Sequence, residues 1–289
     1  MTYAFETIAA LNCQCAESAT WDAEHRQFLW TDIPAGIIYA YDLATGERRQ
    51  WQLPEAVGAF GLADDGRLVV GMVSGVYLYD RKSEKLELLV DPEPEEAPNR
   101  PTHRLNDGKV GPDGAFWIGS MHPETPTAAL YRVTGDGRAE RKAEGLNTSN
   151  GLAFSADGRT LFHSDSRQQW IDRYDLDPAT GAISNRVRIA TPGDADGRPD
   201  GAATDIEGAY WSAGVSAGVI NRFSRDGELL ERIPVPPKAP TMPCFGGDDM
   251  KTLFFTSLRR ADAGPECGNV FSMRVEVAGA PVGRFKTGA

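Results

Sequence analysis

CAESATW at residues 15–21, RLNDGKV at 104–110, SNGLAF at 149–154 and RPDGAAT at 198–204 share one pattern. Each carries a charged or amide side chain, Glu17, Asn106, Asn150 or Asp200, just ahead of a short apolar run and a turn. Two further stretches, AFGLADDG at 59–66 and PCFGGDD at 243–249, fill the gaps in the series. Taking Glu17, Gly61, Asn106, Asn150, Asp200 and Phe245 as markers, the steps are 44, 45, 44, 50 and 45 residues. A period of that size without helical patterning predicts an all-β, six-bladed β-propeller with one four-stranded antiparallel blade per repeat. Equivalent positions in successive blades face one axis, so the four polar side chains are expected to converge at one end of it.

Reading outward from the markers, each unit breaks into short aromatic and β-branched runs. The first holds FLWTD, IIYAYD and RRQWQL; the second holds RLVVGM, GVYLYD and KLELLV. Aspartate–glycine and glutamate–glycine turns ending at Gly66, Gly114, Gly158 and Gly208 precede the second strand in four of the six units. The sixth unit, with TLFFTSL and NVFSMRVEV, lacks a strand of its own. Residues 4–11, AFETIAAL, have the length and composition to supply it and so close the ring.

At 289 residues the length alone allows two domains, but propellers of this size form one, so residues 1–289 are read as a single domain. Hydrophobic content of 41 % and charged content of 25 % are ordinary for a globular chain. A formal charge of −11 argues against a nucleic-acid partner, because phosphate binding needs a basic patch. No run approaches the roughly 18 apolar residues of a membrane helix, and the start lacks the pattern of a secretory signal. A cytoplasmic protein without a membrane partner, monomeric or weakly dimeric, is expected. Cys13, Cys15, Cys244 and Cys267 form neither a zinc-ligand pair nor a disulfide framework and read as small, reduced, buried residues.

Glu17 and Asp200 are hard anionic oxygen donors, and Asn150 offers a neutral carbonyl oxygen. Such a set suits one divalent metal ion, Ca²⁺, Mg²⁺ or Mn²⁺, with water completing the shell. Zn²⁺ or Fe²⁺ also fits, though no histidine or cysteine specifies either. Taken singly, Asp200 in PDG and Asn106 in NDG read equally well as turn residues. Glu17 resists that reading, since it is charged where the pattern predicts burial and a buried carboxylate needs a partner. No GxSxG elbow is present, and His25, His103, His122 and His163 do not repeat with the blades. Direct attack by water, with a carboxylate as base, is therefore expected over a covalent route.

These segments resemble the regucalcin (senescence marker protein) and gluconolactonase family, whose members are six-bladed propellers with one divalent metal on the axis. The family's glutamate-bearing stretch ending in tryptophan matches Ala16 to Trp21, with alanine at 16 and 19 in place of its usual glycine and proline. Its arginine–x–asparagine–aspartate–glycine–lysine run matches Arg104 to Lys109. Its serine–asparagine–glycine, proline–aspartate–glycine and cysteine–phenylalanine–glycine–glycine match Ser149 to Gly151, Pro199 to Gly201 and Cys244 to Gly247. The resemblance implies Glu17, Asn150 and Asp200 as metal ligands and Asp200 as the catalytic base. It implies Arg104 and Asn106 as substrate-binding residues, with Glu124 or neighbouring His122 in GSMHPET as a further contact.

A sugar lactone is the substrate so implied, as in bacterial gluconolactonases, xylonolactonases and arabinonolactonases. A neutral lactone calls for hydrogen-bond donors and a Lewis acid more than for counter-charge. Two other classes remain: a calcium-binding regulatory protein, and an aryl-ester or organophosphate hydrolase on the same scaffold. DPEPEEAPNRPT at 91–102 is either an exposed connector or a lid over the rim. TPGDADGRP at 191–199 leads into Asp200 in the same way, and 259–268 forms a third irregular stretch.

Overall fold

Six four-stranded antiparallel sheets account for nearly all regular structure in the computed structural model, which describes residues 3–260 and 264–288. Blade one runs Ala16–Asp22, Gln27–Asp32, Ile37–Asp42 and Arg48–Gln52 in simple up-and-down order. The first strands of the other blades are Val57–Leu62, Arg104–Val110, Ser149–Phe154, Pro199–Thr204 and Pro240–Gly246. Each of these packs on the first strand of the next blade, and the sixth packs on the first. The sheets thus form a ring, a six-bladed β-propeller, as the 45-residue period predicts.

Burial follows position in the blade. Among the six first strands only Arg104 is not fully buried, whereas last strands such as Arg48–Gln52 and Ala182–Ala190 are mostly exposed. The core lies between blades, where the faces of neighbouring sheets meet. Phe28 of blade one stacks on Phe254 of blade six with ring centroids 4.5 Å apart, and Trp21 stacks on the same ring at 5.9 Å. Burying a large apolar side chain contributes about 1.5–3 kcal/mol, so each blade interface is held by several such terms. That rigidity lets the axis hold polar groups in place.

Closure occurs as expected at the N-terminal side. Phe5–Ala9 pairs antiparallel with Val270–Arg274 and becomes the outer strand of blade six. A second closure has no counterpart in the repeat pattern. Residues 278–286 run across one end of the ring: Ala280 N–H donates to Thr204 O at 2.9 Å, and Phe285 N–H donates to Leu62 O at 2.8 Å. Lys286 N–H reaches Gly114 O in blade three at 2.9 Å. Of the irregular stretch 259–268, residues 261–263 lie outside the described residues.

The marker residues lie inside the first strands rather than ahead of them. All six first strands break register against their second strands near the same end, at Glu17/Thr20, Val57/Ala59, Leu105/Gly108, Asn150/Ala153, Pro199/Ala202 and Pro240/Pro243. A β-bulge leaves a residue unpaired and re-aims side chains. The turn-forming character of NDG and PDG is thus used to bend strands.

Candidate metal centre

Backbone braces set where each first strand enters. In blade one the Asp32 carboxylate accepts N–H from Gln14 and Cys15, both at 3.0 Å. In blade four Asp165 does the same for Asn147 at 2.7 Å and Thr148 at 3.2 Å. The bulges then turn the chain. Ser18 takes φ 54°, and its Oγ accepts the N–H of Phe60 at 2.9 Å, clamping Glu17 to blade two. Gly151 takes φ 61°, and a Cβ there would stand 2.3 Å from the Tyr210 hydroxyl and 2.4 Å from Ser164 Oγ. Glycine after Asn150 is a steric necessity.

These turns bring Glu17, Arg104, Asn106, Asn150 and Asp200 to the wall of one cavity of about 300 Å³ at the entry end of the axis. The Asn150 amide donates to Asp200 Oδ1 at 2.5 Å and to Ser166 Oγ at 3.0 Å. Arg104 donates to Asn106 Oδ1 and to Leu105 O, each at 2.9 Å, and Asn106 Nδ2 donates to Ser149 O at 3.0 Å. All five residues predicted from the four marker segments therefore meet.

A third carboxylate, Asp107, lies beside them. Its Oδ2 accepts Leu152 N–H at 2.9 Å, while its Oδ1 is buried with no hydrogen-bond partner. Lys109, two residues on, is also buried and donates to Ala202 O at 2.6 Å. Burial pushes the Glu17 carboxyl well above its usual range, and the charges of Asp200 and Asp107 push the same way. Burial, then the charge of Asp107, pushes Asp200 up to about 7. Burial also raises Asp107, against the pull of Lys109. Desolvated carboxylate and carboxamide oxygens, one of them orphaned, are the donor chemistry a divalent cation takes.

The structure does not bring His122 and Glu124 into this wall. His122 is buried, with Nδ1 2.9 Å from Thr127 Oγ1 and Nε2 3.2 Å from Glu93 Oε2, and its ring stacks on His103 at 4.1 Å. Glu124 is exposed on the following turn. Met121 and Pro123 line the cavity, whereas His122, just past the strand's end, faces the blade interior. Glu93 is buried there, accepting from Ser120 Oγ at 2.6 Å and Tyr131 OH at 3.0 Å. The 91–102 segment, with a short 3₁₀ helix at Pro94–Asn99, is therefore pinned to blade three and contributes nothing to the cavity wall. Glu96, His103 and His122 could together ligate a metal at that segment's base, and Asp22, Glu24 and His25 form a similar group elsewhere.

Sequence reasoning matched Asp107 and Lys109 to the family's motif but gave neither a role. Alternation within RLNDGKV, broken by a bulge, is the signal that would have placed both inside. Arg167 and Arg198 also line the cavity; Arg167 stood in no repeat, and Arg198 stood at the head of RPDGAAT with no role assigned. Cys244 is buried with its thiol pushed up to about 11, and it lines a different cavity, which removes it as a nucleophile here. All four cysteines are free.

Residues 15–259 match the family described as SMP-30/Gluconolactonase/LRE-like region. The chain is 38 % identical over 272 residues to a 6-deoxy-6-sulfogluconolactonase of Pseudomonas putida, covering 91 % of this chain and 92 % of that one. Regucalcin of Bos taurus is 30 % identical over 284 residues, with 93 % of each chain covered. A crystal structure of a calcium-binding protein, regucalcin, from Agrobacterium tumefaciens superposes with a TM-score of 0.88 at 28 % identity, covering 98 % of this chain and 96 % of that one. A propeller ring, bulged first strands and a donor set at their entry end thus occur in a chain that belongs to the SMP-30/gluconolactonase/LRE-like family.

Proposed function

We propose that this chain is a metal-dependent hydrolase that opens a sugar (aldono-) lactone to its sugar acid. The convergence of Glu17, Asn150 and Asp200 with Arg104 and Asn106 on one small cavity carries this reading. The first three would hold the divalent ion through carboxylate and amide oxygens. When bound, such an ion supplies a Lewis acid for the lactone carbonyl and makes nearby water more acidic. Arg104, desolvated and tied to Asn106, presents its remaining N–H groups to the lactone oxygens. Asp200 orients a water and takes its proton as the water oxygen bonds to the carbonyl carbon. The ring C–O bond then breaks, and the proton passes to the departing ring oxygen. The lactonase names of the relatives support the reaction class.

Calcium binding without turnover is the second reading, favoured by the description of the Agrobacterium relative as calcium-binding. An aryl-ester or organophosphate hydrolase fits less well, since the cavity wall carries three arginines and three carboxylates. The test is acid release from a panel of aldonolactones before chelation, after it, and after return of single divalent ions. Chelator-sensitive ring opening restored by one ion is expected. Ion uptake with no turnover on any lactone would leave the binding-protein reading instead.

A further inference from the structure

The mouth of the cavity is basic although the protein carries a net charge of −11. Arg167 and Arg198 are exposed there, with Arg104 half-buried below them. Elsewhere arginines mostly meet carboxylates: Arg132 pairs with Asp113 at 2.6 Å, Arg222 with Asp205 at 2.8 Å and Arg274 with Asp249 at 2.5 Å. At the mouth the pattern breaks. Among the described residues, neither Arg167 nor Arg198 makes a side-chain hydrogen bond or ion pair, although the backbone at each is anchored. Arg167 N–H donates to Asp165 Oδ1 at 2.9 Å, and Arg198 N–H donates to Ser216 Oγ at 2.9 Å. The chain thus holds two guanidinium groups at the rim on fixed turns of blades four and five and leaves their forks free.

A neutral lactone gives those forks nothing to do. Its carbonyl and ring oxygens are served by Arg104, Asn106 and the buried donors, all deeper in the wall. The carboxylates of Glu17, Asp107 and Asp200 lie buried, while Arg167 and Arg198 are exposed. The cavity therefore keeps its carboxylates at the floor and its free guanidinium groups at the rim. A ligand matched to it has an electrophilic carbonyl at one end and an anion at the other.

We propose that the preferred substrate is an aldonolactone bearing a tetrahedral oxyanion, a sulfonate or a phosphate ester, at the exocyclic end remote from the carbonyl, held by Arg167 and Arg198. Three equivalent oxygens on sulfur or phosphorus match two guanidinium forks, each able to give paired N–H bonds. The rim charge also draws an anion towards a site whose surroundings repel it. This inference rests on the lactonase reading and narrows its substrate.

Hydrolysis rates of gluconolactone, its 6-deoxy-6-sulfonate and its 6-phosphate on the intact enzyme test it, each at low and high salt. The charged lactones should exceed the neutral one in kcat/KM by about tenfold or more, and that advantage should shrink as salt screens the rim. In Arg167→Gln and Arg198→Gln the ratio of charged to neutral kcat/KM should fall about tenfold for each. Calorimetry with the sulfonated and phosphorylated sugar acids, which needs no turnover, should show the same weakening. The sulfonate and phosphate arms decide which oxyanion the rim takes. Equal rates on charged and neutral lactones, or a ratio unmoved by both variants, would overturn the proposal while leaving the lactonase reading intact. No turnover of any lactone would instead remove the reading beneath it.

Discussion

The two ends of the propeller axis are built from the same six strands and could hardly differ more. At the entry end the first strands are bulged and turn Glu17, Asn106, Asp107, Asn150 and Asp200 inward. At the exit end the same strands run in register, and the cavity of about 170 Å³ there is lined largely by apolar groups such as Val110, Phe154 and Phe245. Pro281 and Val282 of the C-terminal strap form part of that wall. Lys109 lies between the two, lining the exit cavity while its charge acts on Glu17 and Asp107 at the other end. One missed residue per strand separates a site from a plug. Regular pairing buries alternate side chains in the blade interfaces, whereas a bulge frees polar ones to face the axis.

Breaking the entry end should give the largest effect. Asp200→Ala should lose the divalent ion and at least about 10³-fold in kcat/KM, through loss of both a ligand and the base. Folding should survive, because the variant removes one of three mutually repelling buried carboxylates. Elemental analysis of the purified variant is the check, and full metal occupancy would count against Asp200 as a ligand.

Breaking the exit end should do the reverse. Phe285 is fully buried in a cluster with Val69, Val110 and Phe116, and Phe285→Ala should cost about 3–5 kcal/mol of stability. Turnover per folded molecule should stay close to the parent, read from urea denaturation and kcat together. A proportionate drop in kcat would mean the two ends are coupled.

Arg104→Ala sharpens the division within the entry end. It should keep the ion and lose about 10²-fold in kcat/KM, the worth of charged hydrogen bonds to substrate. Loss of the ion from this variant would merge the substrate and metal roles.

The smallest effect concerns His163, behind the entry end, whose Nε2 lies 2.8 Å from Ser149 Oγ. Burial lowers its pKa to about 4, below the ordinary value of 6.5. Protonation then favours the unfolded chain, so its contribution is whole above pH 6.5 and lost as pH falls towards 4. The slope in that window is up to about 1.4 kcal/mol per pH unit. His163→Gln should flatten stability against pH across it, and an unchanged slope in denaturation curves would show that His163 is not the group titrating.

The repeat at Glu17, Asn106, Asn150 and Asp200 determined the blade number and the meeting of those side chains, because a ring turns equal spacing along the chain into equal position around an axis. AFETIAAL likewise carried the closing strand, since an orphan β-segment at one end must cover the edge at the other. Only the tertiary structure decided that the markers sit on bulges inside strands, that Asp107 joins them, and that Glu93 draws His122 away from the cavity. Those outcomes depend on the side to which a strand residue faces, and a one-residue slip in register reverses it. Arg167 and Arg198 follow the same logic more strongly. No spacing relates them, and only the packing of blade four against blade five brings both to one rim.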